Sequence, residues 1–252
     1  MKRALFGLVA TLLTTTAAQA APPAEKAVSI VLVHGAFVDA SGWQPVYNLL
    51  LKDGYEVLVV QNPTITLRDD VAATRQAVAK ARHPVILVGH SYGGAVITEA
   101  GDDPKVKSLV YLAAFAPEVG ESVFQLATAP TPDPEPSPLL PPEDGFIRVD
   151  PVKFPTAFAA DVDPAITRFM AAAQVPWGLD AVQTKIATAA WKTKPVYFLL
   201  TTQDHMVAPA TQRAMALRAK ATLVEAQSSH AVMLSHPKVV VDFITRAAGE
   251  AK

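Results

Sequence analysis

The chain has 252 residues, half of them hydrophobic and 18% charged, which is enough apolar material for one large globular domain. Its net charge of -1, with no run of Lys or Arg, gives no electrostatic basis for binding nucleic acid or an anionic membrane. The absence of cysteine excludes disulfides, a thiolate nucleophile, cysteine metal sites and a lipoprotein anchor.

The chain opens on a processing signal. Lys2 and Arg3 precede an apolar run from Ala4 to Leu13, and Ala18-Gln19-Ala20 supplies the small residues that signal peptidase cuts after. A membrane-spanning helix needs about 20 apolar residues, and Thr14 to Thr16 end this run well short of that. Residues 1–20 are therefore expected to be removed after Ala20. The mature chain would then be periplasmic or secreted, with no stable membrane anchor. Val28 to Val33 is a continuous β-branched run, the pattern of a buried parallel strand. Ser41 is placed to cap a helix through about Lys52, which Gly54 stops. Tyr55 to Val60 predicts the next strand. Thr66 caps a second helix to about Arg82, with Asp69 and Asp70 in the first turn, where the helix dipole favours them. Val85 to Val88 predicts a third strand, Gly93 to Gly101 a third helix and Val106 to Leu112 a fourth strand.

The alternation then stops between about Pro117 and Lys194. Ala129 to Pro142 is too rich in proline for regular structure. The aromatics around it, Phe124, Phe154, Phe158, Phe169, Trp177 and Trp191, argue that most of this stretch packs as an inserted lid. Its acidic residues Asp133, Glu135, Glu143 and Asp144 need do no more than solvate the lid tip. Alternation resumes with a strand at Pro195 to Thr201 and a helix at Ala208 to Lys220, with Pro209 near its first turn. A strand at Ala221 to Ala226 and a helix from Pro237 to about Ala248 close the chain. The order predicts an α/β fold: one domain over residues 21–252, a mostly parallel sheet with helices on both faces, and the lid at about 117–194.

Gly89-His90-Ser91-Tyr92-Gly93 fits G-x-S-x-G between an apolar strand and a helix start, the setting in which a nucleophile elbow forms. Ser91 is the candidate nucleophile. A serine hydroxyl needs a base. Of the six histidines, His230 lies in a polar loop after the last strand, from which it can reach the elbow. His90 is expected to point away from the site. Asp204, in the loop after Thr201, is the candidate orienter of His230, with Glu118 and Asp180 as alternative acids. The oxyanion donors are expected to be the amides of Tyr92 and Ala36, with Phe37 as the alternative to Ala36. Phe37 and Trp177 are the candidate substrate-binding aromatics. Nothing in this set calls for a metal or an organic cofactor.

His34-Gly35-Ala36-Phe37 through Trp43, the elbow, Val110 to Pro117, and Asp204 with His230 together resemble the α/β-hydrolases. Their nearest likeness is to the small esterases of the plant methyl esterase and hydroxynitrile lyase branch and their bacterial relatives. The resemblance implies the α/β-hydrolase fold and spans nearly all of the mature chain. The lyases of that branch carry Thr where this chain has Gly35, and Lys where it has Ala231, so the resemblance implies an esterase. The expected function is a serine hydrolase that cleaves a small-molecule ester with a hydrophobic part through an acyl-enzyme, as a monomer or dimer. Two alternatives stay open: a lyase or C–C bond hydrolase using the same triad, and a non-catalytic ligand-binding protein of this fold.

Overall fold

The computed structural model describes residues 25–132 and 136–250. The leader with its cut after Ala20, and the acidic Asp133 and Glu135, lie outside the described residues. Strand β1 (Ser29–Val33) is buried throughout. A 3-10 turn (Ala40–Trp43) then leads into α1 (Gln44–Lys52). Its cap is Asp39 and not Ser41: the extended Asp39 accepts the Ser41 amide at 2.8 Å, so Ser41 already lies inside the turn. β2 (Glu56–Val60) is followed by α2 (Leu67–Lys80), where Thr66 accepts the Asp69 amide as its cap. β3 (Val85–His90), α3 (Gly93–Ala100) and β4 (Val106–Leu112) complete the first half.

The insertion holds α4 (Val123–Ala127), β5 (Phe146–Ile147), α5 (Phe154–Phe158), α6 (Pro164–Ala172), β6 (Trp177–Gly178) and α7 (Leu179–Gln183). The proline-dense stretch is less irregular than its composition predicts. Residues 138–142 pair back onto 146–150 through Leu140 N–H to Arg148 O and Asp150 N–H to Pro138 O, each 2.9 Å. The reversal is made by Asp144 and Gly145, at φ +49° and +83°, the Asp-Gly pairing that a tight hairpin turn favours. Phe154, Phe158, Trp177 and Trp191 are buried, while Phe124 and Phe169 stay exposed. The chain then forms β7 (Val196–Thr201), α8 (Pro209–Arg218), β8 (Thr222–Ala226), a short α9 (Val232–Ser235) and α10 (Pro237–Glu250).

The six long strands form one sheet in the order β2-β1-β3-β4-β7-β8, every pairing parallel. Helices α1 and α10 pack together, as do α2 and α3, and the sheet is flanked by helices. This is the α/β-hydrolase fold. The central β1, β3 and β7 are fully buried, while β2 and β8 at the edges are mostly half-buried. After β1 the chain moves outward to β2 and then crosses back to β3. The crevice at the carboxyl ends of β1 and β3 is therefore the switch point where such sheets bind ligands. Val33 lies in register with Gly89, which brings the loop after β1 beside the G-x-S-x-G turn. Among the described residues no helix is long and apolar enough to cross a membrane.

Candidate active site

Ser91 sits between the end of β3 and the start of α3 with φ +54°. That conformation is costly for a residue with a Cβ and persists only where the surroundings enforce it. Here Ser91 N–H donates to Leu112 O at 3.2 Å, and Ser91 O accepts the amides of Gly94 (3.0 Å) and Phe115 (3.1 Å). Gly93 is required by contact: a Cβ there would lie 2.7 Å from the carbonyl oxygens of Val33 and His34. The side chain opens onto a cavity of about 370 Å³ whose walls include Ala36, Phe37, Phe115, Leu139, Trp177 and Met206.

Asp204 is buried after β7, and its carboxylate is surrounded by donors. Oδ1 accepts the amides of Met206 and Val207 at 2.8 and 2.9 Å. Oδ2 accepts Thr201 Oγ1 and Gln212 Nε2, both at 2.8 Å. His230 Nδ1 also lies 2.8 Å from Oδ2. With every other neighbour donating, Nδ1 must donate too, so the free lone pair of His230 is on Nε2. That atom is buried and has no hydrogen-bond partner among the described residues. The structure thus joins Asp204 to His230 and leaves Nε2 unengaged, with no hydrogen bond to Ser91. Glu118 is elsewhere, paired with Lys192 at 2.7 Å.

The amides of Ala36 and Tyr92 donate no hydrogen bond among the described residues. The loop carrying Ala36 is held by His34, whose Nε2 accepts the Asn62 amide at 3.2 Å and whose Nδ1 lies 2.8 Å from Gly35 O. Burial keeps the His34 imidazole below its usual pKa, favouring this neutral arrangement. A Cβ on Gly35 would lie 2.7 Å from Ser91 Cβ, so a threonine there would push on the serine. Phe37 (φ +66°) meets Trp177 edge-on at 5.6 Å, and both line the cavity.

Two neighbours were not legible as parts of the site. His90 does not line the cavity, but neither does it point away from the site as expected: its ring lies 4.6 Å from that of His230, and its Nε2 is 2.9 Å from His230 O. Burial, then the nearby His230, holds His90 well below its usual pKa, so it stays neutral and Nε2–H donates. The second is Asp70. It is buried and accepts Tyr92 Oη–H at 2.6 Å and Thr64 N–H at 2.8 Å, tying the elbow to the loop before α2.

Burial raises the Asp70 carboxyl to about 6, against about 4 in an unfolded chain. The folded protein therefore holds this proton more tightly. The contribution favours folding below pH 4 and is lost as pH rises through 6, a cost of about 3 kcal/mol at pH 7. Asp70→Asn retains an acceptor for Thr64 and offers Tyr92 Oη a donor. Urea unfolding from pH 4 to 7 should show the variant gaining stability over the parent across that range; parallel curves would reject the assignment.

Residues 30–243 match the alpha/beta hydrolase family. The alpha/beta hydrolase nvfD of Aspergillus novofumigatus is 30% identical over 246 residues, 88% of this chain and 97% of the relative. The carbendazim hydrolyzing esterase of a Nocardioides species is 38% identical over 112 residues, 39% of this chain and 46% of the relative. Among solved structures, a pyrethroid hydrolase from Sphingobium faniae superposes with a TM-score of 0.74 at 23% identity, over 88% of this chain and 98% of that one. The methylesterase MES16 from Arabidopsis superposes at 0.71 and 20% identity, over 88% and 99%. The structural neighbours thus include the plant esterase branch and bacterial hydrolases, and at these identities they speak to the fold alone.

Proposed function

The chain belongs to the alpha/beta hydrolase family, and on that premise we propose that it is a serine carboxylesterase in which Ser91 is the nucleophile, His230 the base and Asp204 its orienter. The observation that carries this reading is the Asp204–His230 pair: it fixes the tautomer and leaves the Nε2 lone pair buried and without a partner among the described residues, on a ring packed 4.6 Å from that of His90, the residue before the strained Ser91. Ser91 Oγ attacks the ester carbonyl while His230 Nε2 takes its proton. The amides of Ala36 and Tyr92, which have no acceptor among the described residues, hold the oxyanion. His230 then protonates the leaving alcohol, and water repeats the sequence on the acyl-enzyme. Serine–base hydrogen bonds are often long before substrate binds and tighten in the complex.

The cavity walls favour a neutral substrate with a hydrophobic part. The esterase among the relatives is in keeping with an ester. The crowding at Gly35 and the burial of Ala231 count against the lyase reading. With the leader of residues 1–20 removed, the enzyme would work outside the cytoplasm.

The test is turnover of p-nitrophenyl acetate, butyrate and octanoate, with mass spectrometry of acid-quenched enzyme. An acyl adduct on Ser91 supports the reading; turnover without an adduct would remove the acyl-enzyme from it, no turnover would favour a lyase or C–C bond hydrolase, and saturable binding without turnover a binding protein. Trp177→Ala, which removes a cavity wall, should raise the octanoate-to-acetate ratio of kcat/KM about tenfold. An unchanged ratio would place Trp177 outside the acyl pocket.

A further inference from the structure

The insertion does more than wall the cavity. Phe158, at the end of α5, packs edge-on against the His230 ring at 4.8 Å. Three residues on, before α6, Asp161 reaches the loop that carries His230. Its Oδ2 accepts Ser228 Oγ at 2.9 Å and Ser229 N–H at 3.1 Å, and its Oδ1 accepts Ser229 Oγ. The Ser229 hydroxyl in turn accepts Ala231 N–H at 3.4 Å. The amides on both sides of His230 are therefore anchored, directly or through one hydroxyl, on a carboxylate from another part of the chain. Ser228 and Ser229 are buried, so these donors have no recourse to solvent. His236 Nε2, 3.4 Å from Oδ2, occupies the outer side. Burial alone would raise the Asp161 carboxyl, but the bonds from Ser229 and Ser228 outweigh it and hold the group below the usual carboxylate range.

We infer that Asp161 is a positioning residue for the base: it fixes the backbone around His230 while Asp204 fixes the imidazole. This rests on the reading of Ser91, Asp204 and His230 as the triad. Two independent holds are what a proton acceptor needs, because a displacement of about 1 Å costs about a hundredfold in rate. They also make the base dependent on the insertion, since Phe158 and Asp161 both belong to it.

The test uses Asp161→Ala and Asp161→Asn, with Ser91→Ala alongside, on p-nitrophenyl butyrate. Asp161→Ala should lower kcat by about 10- to 100-fold with KM within about twofold. It should also shift or broaden the low-field proton resonance of the His230 Nδ1–Asp204 hydrogen bond. Asp161→Asn, whose amide oxygen can still accept Ser228 Oγ and Ser229 N–H, should recover most of the loss. The proposal fails if Asp161→Ala keeps kcat within about twofold of the parent. It also fails if kcat falls only in step with the folded fraction while the proton resonance is unmoved, or if the Asn variant is as impaired as the Ala variant. An inactive Ser91→Ala beside a fully active Asp161→Ala rejects the role of Asp161 alone; a fully active Ser91→Ala rejects the triad reading instead.

Discussion

Ser91→Ala should lower kcat on p-nitrophenyl esters by at least about three orders of magnitude and abolish the acyl adduct. The change removes the protein atom that bonds to the acyl carbon in the proposed sequence. It leaves the turn in place, because the bonds that hold Ser91 at positive φ come from its own main chain and those of Leu112, Gly94 and Phe115. The thermal midpoint should therefore move by no more than a few degrees. Residual catalysis of about 10³–10⁴ over water can persist from the oxyanion donors and binding, so the comparison must be made against buffer as well as parent. Full turnover in this variant would remove Ser91 from the mechanism, whatever the rest of the site does.

Asp204→Asn should cost about 10⁴ in kcat, with a smaller effect on KM. Oδ1 of Asp204 faces two amides, and Oδ2 faces Thr201, Gln212 and His230. An asparagine satisfies the amides only by turning its oxygen to them, which presents its NH₂ to His230. The imidazole must then accept at Nδ1 and carry its proton on Nε2, the tautomer that cannot deprotonate a serine. The measurement is kcat for Asp204→Asn beside Glu118→Gln. If the Glu118 variant is the more damaged of the two, the orienting acid has been misassigned, although the Glu118 ion pair with Lys192 places that carboxylate in another role.

The strands were legible because both faces of a central parallel strand are covered, so Ile30 to Val33 of β1, Val85 to Val88 of β3 and Leu109 to Leu112 of β4 read as apolar runs. One local motif and two loops following strands nominate Ser91, Asp204 and His230 in the sequence. The residues packed around them carry no such signal. The partners of Asp161 lie 67 and 68 residues further along the chain, and no pattern at either end announces the other. Asp69 and Asp70 looked alike as first-turn acids. Only packing separates them: Asp69 stays exposed, while Asp70 is buried under Tyr92. The Asp39 cap was missed because a serine two residues on offered the same chemistry. The Asp144–Gly145 turn, by contrast, was available as a dipeptide signal that the surrounding prolines obscured.

The register of Val33 on Gly89 and the seat of Gly93 against the carbonyls of Val33 and His34 mean that the serine turn and the loop carrying Ala36 meet main chain to main chain. Their spacing is written in peptide units, which every substitution short of an added Cβ leaves untouched. Such a site can be inherited while nearly everything around it drifts. Side chains lining the cavity are free to turn over from one descendant to the next, so a lineage can exchange substrates without rebuilding the machinery that cleaves them.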